Sequence, residues 1–212
     1  MNRQHAAWLR ITGFLGWTIL GVSCVAATET NATAPADPRL DMVRTLQATA
    51  PHSSLGDQAK AFERLIGTWD VQYTDFATDG KVSHRSGELI FGWVMDGRAI
   101  QDVWIVNPSG ARKEREIYTE LRYFDQKSQT WRATFIDPEG ASVARFTGGA
   151  AGADRIVLES QDFDGTETRW SFNDIRPDSL VYREESSRDG GSTWRMTAEY
   201  RMKRLSRAPV AP

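Results

Sequence analysis

The amino-acid sequence predicts an all-β protein: a closed antiparallel barrel of about 8–10 strands with one short N-terminal helix. Three observations carry this prediction. From Trp69 to Met202, apolar and polar residues alternate in runs of about 6 to 10, the period of half-buried strands, because successive side chains on a strand point to opposite faces. The runs are punctuated by turn dipeptides such as Asp96-Gly97, Asn107-Pro108, Asp137-Pro138 and Asp164-Gly165, and none of the links leaves room for a crossover helix, so neighbouring strands run antiparallel. Laid flat, so many strands would expose two long edges; closing the sheet on itself removes both.

The chain opens with a different composition. Arg3 and Arg10 supply positive charge, residues 11–22 are largely apolar, and Val25-Ala26-Ala27 offers small residues for cleavage. This pattern is expected of a signal peptide over residues 1–27, and hence of a periplasmic or secreted protein. The apolar stretch falls short of the ~20 residues that cross a bilayer, so the mature protein is expected to have no membrane span. Cys24 follows Leu20-Gly21-Val22-Ser23, which resembles a bacterial lipobox, and a lipoprotein anchored through Cys24 is the alternative. Loss of residues 1–27 removes two arginines and no acid, leaving 24 basic against 28 acidic residues, a net charge of −4. A mildly acidic chain without a basic stripe is a poor nucleic-acid partner. Cys24 is the only cysteine, so cleavage beyond it excludes a disulfide framework, a thiol nucleophile and a zinc-thiolate site.

Residues 28–55, rich in Ala, Thr, Pro and Ser, read as a flexible spacer in which 40–46 can form a turn or two of helix. Over 57–66, Ala61, Phe62, Leu65 and Ile66 recur at helical spacing, and Gly67 follows where a helix C-cap would sit. One short helix closing the base of the barrel is expected there. Strands are then expected at 69–76, 82–95, 98–106, 113–124, 130–136, 141–147, 155–162, 166–173, 180–186 and 193–204. The barrel spans 56–205 and the C-terminal tail 206–212. Between Met95 and Arg98, Asp96-Gly97 is a strong two-residue hairpin signal because both positions tolerate positive φ.

Gly67-x-Trp69, arriving at the end of a helix and opening the first strand, resembles the motif of the calycin group: lipocalins, fatty-acid-binding proteins and nitrobindin-like barrels. In lipocalins an arginine near the end of the last strand packs over that tryptophan, and the resemblance assigns this role to Arg201 or Arg204. The run from Gly92 to Trp104 is similar to a bacterial exported family of calycin-like domains without an assigned function, which implies an architecture and no activity. Nitrobindin-type haem binding places a histidine on the C-terminal strands, where this chain has none. With only His5, His52 and His84, a Ser-His-Asp relay or a multi-histidine metal site also lacks its parts, so no metal or cofactor is expected. Ser187-x-Asp189-x-Gly191-x-Thr193-Trp194 resembles the Asp-box of sialidase propellers. A single copy implies a stapled hairpin.

The remaining chemical vocabulary is aromatic, carboxylate and guanidinium. Inward faces are expected at Ile117-Thr119-Leu121-Tyr123, Leu180-Tyr182 and Trp194-Met196-Ala198-Tyr200, with Arg115 and Glu184 as the charged residues among them. Aromatic residues fill cores, but they also line pockets that take rings and apolar tails. The expected ligand-binding set is Trp104, Arg115, Tyr123, Phe135, Trp170, Phe172, Tyr182, Glu184, Met196 and Tyr200. The function expected is that of an exported binding protein holding a small hydrophobic molecule inside the barrel, with no catalytic residue assigned. The alternatives are a calycin-type enzyme of decarboxylase or cyclase kind using Arg, Glu and Tyr, and a packed structural module of the envelope.

Overall fold

The computed structural model describes residues 37–161 and 164–206. The expected signal peptide, the first part of the spacer, Asp162 and residues 207–212 of the tail lie outside them. Within the segment read as spacer, helix α1 (Pro38–Leu46) is followed by a two-residue strand β1 (Gln47–Ala48) and a 3-10 segment, Ser53–Ala59, that leads into helix α2 (Lys60–Glu63). Asp37 caps α1, its carboxylate accepting the Arg39 N–H at 3.0 Å, and Pro38 occupies the first turn, where a missing N–H costs nothing.

The strands that follow are β2 (Gly67–Phe76), β3 (Val82–Val94), β4 (Ala99–Val106), β5 (Glu116–Asp125), β6 (Thr130–Asp137), β7 (Ser142–Ala150), β8 (Ile156–Gln161), β9 (Glu167–Asn173), β10 (Ser179–Ser187) and β11 (Arg195–Ser206). Each pairs antiparallel with the next, and β11 returns to β2 with Tyr200 opposite Tyr73, so ten strands close into a ring. β1 lies outside it, pairing with β3 at Trp93 and Val94, beyond Phe91 where the pairing with β2 ends. The hairpin between β3 and β4 holds Asp96 and Gly97 at positive φ, and Met95 joins them at 54°. Curvature needs close strand approach at two glycines: a Cβ at Gly87 would sit 1.9 Å from the Ile105 carbonyl oxygen, and one at Gly148 would sit 2.0 Å from that of Val157.

Because the strands run as a meander, their connections alternate between the two ends of the barrel. One end is plugged. Leu55, Ala59, Phe62 and Leu65, from the 3-10 segment through the turn after α2, are buried there, and the Phe62 ring meets Trp131 edge-on at 4.8 Å. Trp69 is fully buried; its indole N–H donates to the Leu65 carbonyl at 2.8 Å, and the Arg204 guanidinium covers its face at 3.9 Å. The terminal arginine over the tryptophan is therefore Arg204, which also donates to the carbonyls of Ile66 and Pro177 and so ties the last strand to the plug. The Asp-box is a hairpin staple: Asp189 accepts the Thr193 N–H at 2.9 Å and its hydroxyl at 2.6 Å, and the Trp194 indole donates to Gly191.

One face assignment is corrected. On β5, the apolar-looking set Ile117, Thr119, Leu121 and Tyr123 forms the outer wall, and Tyr123 is 46% exposed. Tyr118, Glu120, Arg122 and Phe124 point inward. The reason is charge pairing: Arg122 donates to Asp102 at 2.7 Å and to Glu120, and all three side chains are buried. Charges that satisfy one another can occupy a core that none could enter alone. Ile90, Val103, Thr119, Ile136 and Val143, joined in one cross-strand row, make the outer face of β3 to β7 apolar as well, and alternation alone then gives no phase for β5.

Candidate functional site

The end of the barrel opposite the plug carries a cavity of about 240 Å³. Inward-pointing residues of seven strands build it, since on each strand every second side chain enters the interior. Six aromatic side chains line it: Trp104 from β4, Tyr118 from β5, Phe135 from β6, Trp170 from β9, Tyr182 from β10 and Tyr200 from β11. Their rings touch in a continuous network. Trp104 lies 5.3 Å from Tyr182, Tyr182 stacks on Tyr200 at 5.3 Å, and Phe135 meets Trp170 edge-on at 5.2 Å. The Trp170 indole nitrogen is buried with no hydrogen-bond partner among the described residues, a donor left uncommitted beside the cavity.

Four charged residues, Arg85, Glu116, Asp137 and Glu184, complete the lining. Arg85 donates from Nη2 to Asp75 at 3.0 Å and from Nη1 to both Glu116 oxygens at 3.2 Å. Burial alone would depress its pKa; Asp75 and then Glu116 outweigh this and hold it above the ordinary value. Asp75 also accepts the Tyr200 hydroxyl at 3.1 Å. Glu184 is the exception among these carboxylates: among the described residues its one hydrogen-bond donor is the Tyr182 hydroxyl, at 3.1 Å. Burial pushes its pKa up to about 7; the Tyr182 bond opposes the shift and the charge of Asp75 adds to it. Asp137 holds the turn after β6, accepting the N–H groups of Glu139 and Gly140, each at 3.0 Å.

Below this layer sits the Asp102–Arg122–Glu120 cluster, on the side facing the plug. The Arg122 guanidinium is ringed by Phe62, Phe91 and Phe172 at 5.5–5.7 Å. Burial raises the pKa of Glu120 to about 8 against the lowering effect of Arg122. Burial favours the protonated form of Asp102 as well, and the Arg122 charge opposes it there too, so two carboxyl groups share one guanidinium.

Of the residues expected from sequence, Trp104, Phe135, Trp170, Tyr182, Glu184 and Tyr200 come together around the cavity. Phe172 is inward but deeper, packed between Phe91 and Tyr182. Met196 is half-buried on β11 outside the lining, next to the irregularity in the β10 to β11 register. Arg115 and Tyr123 are placed elsewhere: Arg115 is exposed on the loop before β5, and Tyr123 lies on the outer wall for the reason given above. Sequence reasoning missed Arg85, Glu116, Tyr118 and Asp137. Arg85 was within reach, because stepping back by twos along β3 from Trp93, Phe91 and Leu89 leads through Gly87 to it.

No protein-family model matches the sequence, and no curated protein is detectably similar to it. Solved structures do match in shape. A crystal structure of Rv2717c from M. tuberculosis superposes with a TM-score of 0.51 at 12% identity, covering 70% of this chain and 98% of that one. The S-type phycobiliprotein lyase CPES from Guillardia theta gives 0.50 at 12% identity, covering 69% and 92%. The fold is calycin-like.

Proposed function

We propose that this chain is an exported binding protein whose barrel holds one small hydrophobic or aromatic molecule at its open end. The observation that carries the proposal is the 240 Å³ cavity walled by six aromatic side chains in a barrel whose other end is sealed. Drug-sized ligands occupy pockets of about 300–1,000 Å³, so a volume below that range fits a molecule of one or two rings. Glu184 offers an acceptor, which would orient a polar substituent. Of the expected ligand-binding residues, this reading retains Trp104, Phe135, Trp170, Tyr182, Glu184 and Tyr200.

Calorimetric titration with indole and with 2-naphthol should show saturable binding at about one molecule per chain. Phe135→Ala should weaken it by on the order of 1 kcal/mol, the contribution of one aromatic contact. Absence of saturable binding by both compounds would set the proposal aside in favour of a packed structural module. Catalysis in the same cavity is the second reading, supported by Glu184 with its raised pKa beside the Tyr182 hydroxyl, a pairing suited to general acid–base work. Export rests on residues 1–27. A reporter fused after Thr30 should cross the inner membrane, and its retention in the cytoplasm would remove the periplasmic assignment. Incorporation of labelled fatty acid at Cys24 would instead convert the protein to an anchored one.

A further inference from the structure

We infer that the molecule held in this cavity is a small organic cation, an ammonium whose apolar part enters the aromatic lining and whose nitrogen lies against Glu184. The inference rests on the binding reading above and adds the charge of the ligand, from three observations. The first is the sign of the lining. Three of its charged residues are acids, Glu116, Asp137 and Glu184, and one is basic. The second is that the one guanidinium is already committed. Arg85 engages Asp75 through Nε and Nη2 and Glu116 through Nη1, so each of its three nitrogens donates to a carboxylate, and an anionic headgroup finds no open basic partner in the lining. On the loop before β5, Lys113 and Arg115 are exposed and do not contribute to the wall, and Arg112 is engaged by Glu116 at 2.8 Å and by Glu139, which leaves Asp137 and Glu184 as the lining acids without a basic partner among the described residues.

The third observation is the kind of surface the acids surround. Trp104, Trp170, Tyr182 and Tyr200 present π-systems to the cavity, and such faces attract ammonium groups electrostatically. A neutral aromatic ligand would use the apolar area and leave Glu184 half-buried with a single hydroxyl partner. A cation satisfies both. Glu184 then gains a charged partner, and the penalty that burial imposes on its ionised form is offset on binding.

The pairing makes affinity depend on pH with a definite sign. Glu184 interacts with Tyr182 on its own strand, Asp75 of β2, Tyr200 of β11 and Tyr118 of β5, and with Glu120 deeper in the barrel, and it shares the cavity lining with Arg85 and Glu116; Asp102 and Arg122 lie deeper. Its carboxyl is raised to about 7, so it is largely protonated below that value and ionised above it. Cation binding should therefore tighten as pH rises through this range, while binding of a neutral analogue should be flat by comparison.

Three probes of matched size test this on the purified protein: 2-phenylethylamine, 2-phenylethanol and phenylacetate, titrated by calorimetry and by quenching of tryptophan emission. The amine is expected to bind at least about tenfold more tightly than the alcohol above pH 7, with phenylacetate the weakest. That preference should shrink severalfold at acidic pH, and Glu184→Gln should reduce the preference to its small acid-pH value and remove its pH dependence. Should that variant fold poorly, the pH profile of the unaltered protein carries the same decision. Equal binding of amine and alcohol, or tighter binding of phenylacetate, overturns the cationic ligand and leaves the barrel a binding protein. No binding of any probe, together with none of indole or 2-naphthol, overturns both.

Discussion

Arg122→Met should destabilise the barrel by about 3–5 kcal/mol in urea unfolding, the usual effect of removing one partner from a buried ion pair. The side chain is fully buried and joins Asp102 at 2.7 Å to Glu120, so its loss strands two carboxyl groups among Phe62, Phe91 and Phe172. The contrast that makes this informative is the triple variant Asp102→Leu, Glu120→Leu, Arg122→Met. Replacing a whole buried charge cluster by apolar side chains is often neutral or stabilising, by about 1–4 kcal/mol. Recovery of stability in the triple variant would identify pairing, and not the shape of the arginine, as the property the core depends on. A single variant as stable as the unaltered protein would show that the cluster is dispensable. The same cluster predicts the pH dependence of stability. Glu120 holds its proton in the folded barrel up to about 8, whereas an unfolded glutamate loses it near 4.5. Between those values the folded state binds more protons than the unfolded state, so stability falls as pH rises through the window. Glu184, raised to about 7, adds a slope of the same sign. The unfolding midpoint should accordingly be higher near the acid end of this window, and Glu120→Gln should flatten the profile.

Trp69→Ala should lower stability by about 3–5 kcal/mol, as for other large-to-small changes in a packed core. At about 2–4 °C per kcal/mol for a domain of this size, the thermal midpoint would drop by on the order of 10 °C. Trp69 is inaccessible to solvent, donates to Leu65 and lies under Arg204, so one substitution loosens the helix plug, the first strand and the last strand together. Trp69→Phe should cost less, since it keeps a ring beneath Arg204 and loses chiefly the bond to the Leu65 carbonyl, about 0.5–1.5 kcal/mol. Differential scanning calorimetry reads both. A midpoint unmoved by the alanine variant would mean that the plug is not held through this residue.

The sequence by itself determined the architecture, because the information required for it is local. Strand period, turn dipeptides and short links are properties of consecutive residues, and they led to an antiparallel ring with its connections in the right places, including the Asp96-Gly97 hairpin and the Gly67-Trp69 entry after the plug. Aromatic residues on β4, β6, β9, β10 and β11 could also be picked out; Trp170 and Tyr200 alternate with polar neighbours on both sides, whereas Trp104 lies between Val103 and Ile105. What only the tertiary structure decided was which face of β5 turns inward and how the charges distribute. On that strand both faces carry apolar residues, and the favourable choice depends on Asp102, a residue of another strand that meets Arg122 only when β4 and β5 pair in register. Arg85 and Glu116, separated by 31 positions, meet at the cavity for the same reason. Pair interactions between strands set the cost of burying a charge, and that cost is invisible to any rule that scores residues one at a time. Five of the six wall aromatics and Glu184 were thus legible in the sequence, while Tyr118, the rest of the charged rim and the cluster beneath it emerged from the pairing of strands in the closed ring.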